Sequence, residues 1–377
     1  MKTLYLHVGM QKTATSAIQK FLYDNRELLL SRGYKYDRMP YVYPGYARER
    51  NATFLYKYIF DADGKPDHNA INERREAGLE KVAEWFETAD NVILTDETLW
   101  LMISREKRNP LPRLVEFAKE QDAQIKVIVY IRKQDDYFES LYKQHVKEGL
   151  AIPWDQAIAD PGKLSIYLDL EANLKRIEEA VGRENVVVRK FDRSLFEGNG
   201  NTVQSDFMLQ LGLEMTDEYV LREDEVNKSL DNNYTEIRRI MNYLKPEFPD
   251  PDRSIQKGIV AAAVKCQECR GRNDKASLFS AETRREFMDR YAEGNKAVAM
   301  RYFDSEELFA PGADKAEWQR DDREIMEDAI LLFSMLGLPT WIEGNFGKKK
   351  EPPKEEVKKK DSLGKRAIRK ARTIIQK

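Results

Sequence analysis

The segment Leu4-Tyr5-Leu6-His7-Val8-Gly9-Met10-Gln11-Lys12-Thr13-Ala14-Thr15-Ser16-Ala17-Ile18-Gln19 decides the fold. It opens as a short apolar run of β-formers, stops at Gly9 and passes through Lys12-Thr13. From Thr15 onward Ile18, Phe21, Leu22, Leu28 and Leu29 recur at helical spacing. A strand, a tight turn and a helix N-terminus in that order make an anion site. The first helical N–H groups lack intrahelical partners, and the helix dipole adds partial positive charge there. Lys12 adds a full charge, and Thr13, Thr15 and Ser16 add hydroxyls. Such a constellation suits a phosphate or sulfate group. It is not the Walker pattern, which requires Gly-Lys-Ser/Thr; here Gln11 precedes Lys12.

The segment resembles the 5′-phosphosulfate loop of the sulfotransferase family, which reads roughly His-x-Gly-x-x-Lys-Thr-Gly-Thr-Ser. His7, Gly9, Lys12, Thr13, Thr15 and Ser16 match. Ala14 departs, standing where the family has glycine. If that position needs a positive φ, alanine is strained there by about 1 kcal/mol. The expectation is instead that Ala14 already belongs to the first helical turn, where alanine is favourable.

A second stretch supports the resemblance. Ile125–Ile131 is the clearest strand in the chain and ends at Arg132. A helix with Tyr137, Phe138, Leu141 and Tyr142 on one face follows, with Ser140 eight residues after Arg132. The family places an arginine at a strand end and a serine eight residues later to bind the 3′-phosphate of its nucleotide. The run Tyr130–Tyr142 is similar to the bacterial branch. A third strand, Asn91–Thr95, precedes Asp96-Glu97. Carboxylates at the carboxyl end of a parallel strand lie where open α/β sheets bind ligands. The resemblance puts Glu97 at the general base, while Asp96 or Thr95 caps a helix starting near Thr98. His7 and His145 are fallback bases.

The remaining chain is less specific. Arg32–Tyr36 reads as a C-cap glycine and a short strand. Residues 37–50 hold Pro40, Pro44, Gly45 and several tyrosines; this loop either faces a sugar or packs on its own aromatics. A helix is predicted over 70–89, a strand over Glu184–Phe191 and a helix over 202–213. Val226–Leu230 resembles a segment near the cofactor's adenosine end. The resemblance runs from about Leu4 to about Leu244. Residues 232–342 read as mostly helical, interrupted near Pro246, Pro249, Pro251 and Pro311. Cys266 and Cys269 form Cys-x-x-Cys without nearby histidines, and an inert pair one helical turn apart is favoured over zinc or redox chemistry.

With 377 residues and 41% hydrophobic content, the chain can build one large α/β domain or two smaller ones. A formal charge of −2 gives no nucleic-acid signature, and two cysteines fit a reducing compartment. No signal peptide or long apolar run is apparent, which points to a cytoplasmic enzyme, since secretory-pathway members of the family carry a membrane anchor. The tail differs. From Lys348 to Lys377 thirteen Lys/Arg face four Asp/Glu, a net +9, so the rest of the chain carries −11. Within 361–377, Leu363, Ala367, Ile368, Ala371, Ile374 and Ile375 recur at helical spacing among basic residues. That pattern suits the anionic inner face of a membrane, or a solvated tail.

These readings predict a P-loop-type parallel sheet flanked by helices, with helical insertions and a helical C-terminal region. The expected organisation is an α/β core over 1–245, helices over 246–345 and a basic tail over 346–377. The resemblance implies sulfuryl transfer from 3′-phosphoadenosine 5′-phosphosulfate to an acceptor hydroxyl on a glycan or glycolipid, without a metal. Gln11, Lys12, Thr13, Ala14, Thr15, Ser16, Arg132 and Ser140 would bind the donor; Glu97, Lys12 and His7 would serve catalysis. The rivals are a P-loop nucleotide kinase, which would need Gly-Lys-Ser/Thr and Mg²⁺ ligands, and a non-catalytic membrane-associated scaffold.

Overall fold

The computed structural model describes residues 1–105, 108–162, 167–222, 230–244, 253–271, 276–310 and 315–345. Five strands form one parallel sheet: β1 (Lys2–Gly9), β2 (Tyr34–Lys35), β3 (Asn91–Asp96), β4 (Ala123–Ile131) and β5 (Val186–Lys190). Their order is β2-β3-β1-β4-β5. Every strand expected from the sequence is present. β1 is buried along nearly its whole length because both faces of the sheet are covered.

The helices are α1 (Thr15–Asp24), α2 (Arg26–Ser31), α3 (His68–Phe86), α4 (Leu99–Ile103), α5 (Leu111–Glu120), α6 (Gln134–Glu148), α7 (Trp154–Ala159), α8 (Leu170–Val181) and α9 (Val203–Gln210). The C-terminal region adds α10 (Asn232–Leu244), α11 (Arg253–Cys269), α12 (Ala281–Asp289), α13 (Ala292–Phe303) and α14 (Asp322–Asn345). Alternation along β1 sorts its side chains between two cores. Leu4, Leu6 and Val8 join a large cluster with α3, α5, α6, α8, α12 and α13. Tyr5 points the other way, into a cluster with Ile18, Phe21 and Leu22 of α1 and Phe207 and Met208 of α9. A third cluster joins Tyr234 and Ile237 of α10, Cys266 of α11 and Leu332 of α14.

Three boundaries differ from expectation for local reasons. The first helix breaks at Asn25, whose side-chain amide donates to Phe21 O and Val220 O. The helix predicted over 70–89 starts at His68, because Asp67 accepts from the N–H groups of Asn69 and Ala70. Thr202 and Ser205 form a capping box, so α9 begins at Val203. Cys266 is buried and Cys269 exposed, both as free thiols on α11. The Val226–Ser229 run, the proline breaks and the 346–377 tail lie outside the described residues.

Candidate functional site

Strand register brings the sequence's candidates to one edge of the sheet. Val8 pairs with Asp96 on one side and Val129 on the other, and Gly9 pairs with Tyr130. The β1–α1 loop, Glu97 and Arg132 therefore leave the sheet side by side, at the carboxyl ends of three adjacent strands. Glycine is required at Gly9 by close approach. A Cβ there would lie 2.1 Å from Thr15 Cγ2 and 3.3 Å from the Glu97 Cα.

The loop is more strained than the sequence suggested. Ala14 is not in the first turn of α1; it is the N-cap residue, at φ 56° and ψ 25°. Its carbonyl accepts from Ala17 N and Ile18 N at 3.0 and 3.1 Å, which fixes this geometry. A left-handed alanine costs about 1 kcal/mol relative to glycine. Lys12 is left-handed too, at φ 65°. The N-cap residue of α1 makes no side-chain cap hydrogen bond, and no acidic residue occupies the helix's first turn.

The hydroxyls divide. Thr13 is buried and donates to Met10 O at 2.6 Å, holding the loop closed. Thr15 donates to Glu97 Oε2 at 2.7 Å. The Ser16 side chain is exposed, and Gln11 is partly so. Arg132, just past β4, donates from Nη1 to Lys12 O at 3.0 Å. Ser140 lies on α6, partly exposed.

Charge pairing is uneven across the molecule. The buried carboxylates Asp96, Asp135 and Asp206 are paired with Arg50, Arg284 and Arg189. Among the described residues neither Lys12 nor Arg132 has an ion-pair partner. Desolvation, then the Arg132 guanidinium, brings the Lys12 ammonium below its ordinary value, with Glu97 and Glu148 opposing. Burial lowers Arg132 as well, against Asp136, Asp135 and Glu139. Two cations close together beside an uncapped helix N-terminus make an arrangement that an anion would relieve.

The Asp96–Glu97 pair is held from the 37–50 loop. Arg50 directs Nη2 and Nε to Asp96 at 2.5 and 3.3 Å, and Nη1 to Glu97 Oε1 at 3.0 Å. Thr53 and Tyr56 also donate to Asp96, at 2.6 and 3.0 Å. Asp96 accepts from Thr98 N at 2.8 Å, but neither Asp96 nor Thr95 is the helix cap expected from the sequence: α4 starts at Leu99, its N-cap residue is Thr98, and that end carries no side-chain cap hydrogen bond. Asp96 is fully buried; the Glu97 side chain keeps 23% of its surface exposed at the loop. Sequence reading missed Arg50, and the loop's arginines are mostly engaged within the protein. Arg38 pairs with Glu49 and stacks on Tyr23, and the loop's Tyr41 is covered by Arg74 of α3.

The two candidate histidines differ in placement. His7 is fully buried, its Nδ1 2.9 Å from Thr95 Oγ1 and its ring against Phe207 and Tyr130. Burial pushes it down to about 3, so it is neutral and faces the core rather than the loop's solvent side. His145, near the end of α6, lies 3.4 Å from Glu148. Among the described residues no three His, Cys, Asp or Glu side chains converge as a metal-ligand group, and no helix is long and apolar enough to cross a membrane.

No protein-family model matches this chain. A curated but uncharacterised protein of Archaeoglobus fulgidus is 29% identical over 212 residues, which cover 54% of this chain and 54% of that protein. The chain thus spans about half the length of that relative. Among solved structures, the crystal structure of a sulfotransferase from Alicyclobacillus acidocaldarius is similar at 15% identity and a TM-score of 0.36, over 68% of this chain and 99% of that one.

Proposed function

We propose that the protein is a sulfotransferase that moves the sulfuryl group of 3′-phosphoadenosine 5′-phosphosulfate to an acceptor hydroxyl on a glycan or glycolipid. The observation that carries this reading is the unpaired Lys12–Arg132 couple beside the uncapped N-terminus of α1. Lys12 and the loop amides hold the 5′-phosphosulfate. Arg132 and Ser140 take the 3′-phosphate, where a guanidinium fork matches two oxygens at once. Glu97 accepts the proton as the acceptor oxygen forms its bond to sulfur and the bond from sulfur to the phosphate oxygen breaks. Lys12 and the amides stabilise the charge that builds on the departing phosphate. Adenosine 3′,5′-bisphosphate leaves as product. His7 is too deeply enclosed to touch the acceptor, so its part is to anchor β1, the strand that carries the loop, by packing against Tyr130 and Phe207.

Thermal shift separates this reading from a nucleotide kinase and from an inert scaffold. Ligand binding to the native state stabilises by about 2.7 kcal/mol at a hundredfold excess over Kd. Adenosine 3′,5′-bisphosphate should therefore raise Tm by a few degrees, while ATP with Mg²⁺ should not. The reverse pattern would mark a kinase, and no shift with either would mark a scaffold.

The basic segment 361–377 brings the cytoplasmic enzyme to the inner face of a membrane, close to a lipid-linked acceptor. Basic residues contribute about 1 kcal/mol each near an anionic surface, and salt screens the contribution. Full-length protein should co-sediment with anionic vesicles at low salt and a chain ending at Gly347 should not. Equal sedimentation of the two would remove the tail's role.

A further inference from the structure

We infer that Arg50 is the positioning residue for Glu97, anchoring that carboxylate through one arm of its guanidinium while Asp96 occupies the other. This rests on the reading of Glu97 as the base. The geometry divides the fork cleanly. The Nη2/Nε edge faces the fully buried Asp96 at 2.5 and 3.3 Å, and Nη1 alone reaches Glu97 Oε1 at 3.0 Å. Thr15 holds the other oxygen, Oε2, at 2.7 Å. Glu97 is thereby tied at one oxygen to the 37–50 loop and at the other to the first residue of α1. Its orientation is set relative to the anion loop itself.

Counting charge shows why two carboxylates are needed. A lone Arg–Glu pair would neutralise the base it orients. Here Asp96 balances Arg50, so the trio of Arg50, Asp96 and Glu97 carries one net negative charge. Glu97 is held without being cancelled. Burial works to lower the Arg50 guanidinium, but Asp96, with Tyr56 and Glu97, holds it above its ordinary value, so the clamp stays charged. Tyr56 and Thr98 complete the shell on Nη2 at 3.1 and 2.8 Å, and the Tyr46 ring lies 4.6 Å from the guanidinium carbon. Arg50 is thus fixed on several sides, as a residue that must place another requires.

The test uses the full chain and hydrolysis of 3′-phosphoadenosine 5′-phosphosulfate, in which water forms the bond to sulfur and adenosine 3′,5′-bisphosphate is released. Arg50→Lys keeps a cation for Asp96, but a compact ammonium cannot span both carboxylates. Arg50→Gln combined with Asp96→Asn removes both buried charges together and leaves neither uncompensated. Both variants should lower kcat roughly tenfold to a hundredfold with KM for the donor within about threefold of wild type, the pattern of a misplaced group rather than a lost binding contact. Near-wild-type kcat in both, while Glu97→Gln is impaired, would show Arg50 to be a structural anchor and overturn the inference. A raised donor KM with unchanged kcat would overturn it in favour of donor binding. If Glu97→Gln itself turns over normally, the base assignment fails first and this inference falls with it.

Discussion

Glu97→Gln should slow turnover by roughly 10²–10⁴-fold, because glutamine cannot take the proton of the attacking hydroxyl. The substitution preserves shape, and its amide oxygen can still accept one of the two hydrogen bonds that Glu97 receives from Arg50 and Thr15. Asp96 keeps its own contacts to Arg50, Thr53, Tyr56 and the Thr98 backbone, so the strand end stays in place. Affinity for adenosine 3′,5′-bisphosphate should be nearly unchanged. Steady-state rates alongside calorimetric titration give both readings from one preparation. A correctly folded Glu97→Gln enzyme working near the wild-type rate would place the base elsewhere. His145 would then be the next substitution, since His7 is buried against Phe207 and Thr95.

Lys12→Ala and Arg132→Ala should each weaken binding of adenosine 3′,5′-bisphosphate about tenfold to a hundredfold, corresponding to about 1.5–3 kcal/mol for a charge-assisted contact. The variants should still fold. Neither cation belongs to an ion pair among the described residues, so no buried carboxylate is left without its partner. Their signatures should also differ. Arg132→Ala should sharply reduce discrimination between adenosine 3′,5′-bisphosphate and adenosine 5′-phosphate, because its role is confined to the 3′ group, where Ser140 alone remains. Lys12→Ala should weaken both nucleotides alike. If Arg132→Ala still prefers the 3′-phosphorylated ligand as strongly as wild type, the 3′-phosphate assignment is wrong.

Much of this architecture is legible in the sequence because parallel strands are buried on both faces and read as apolar runs. Leu4–Val8, Asn91–Thr95 and Ile125–Ile131 announce themselves this way, and the residue after each run lands at one sheet edge. Gly9, Glu97 and Arg132 could be named from the sequence because each stands at or just past the carboxyl end of a strand. Arg50 could not. It lies in a loop without periodicity, and its partners sit 46 and 47 positions away. Only the folded sheet brings them together. The left-handed Ala14 was hidden for another reason: alanine's helix propensity argues for the first turn, while the loop's closure imposes a backbone normally served by glycine. His7 shows the limit of motif reading, since a match in sequence did not reveal that alternation turns its ring into the core.

The most direct measurement is to incubate the full-length chain with donor carrying a radiolabelled sulfuryl group and a panel of carbohydrate and glycolipid acceptors, with the Lys12→Ala and Glu97→Gln chains in parallel. The wild type should transfer label to an acceptor, and either variant little or none. Donor left intact by the wild type, under conditions where it consumes ATP in the presence of Mg²⁺, would contradict the sulfotransferase reading.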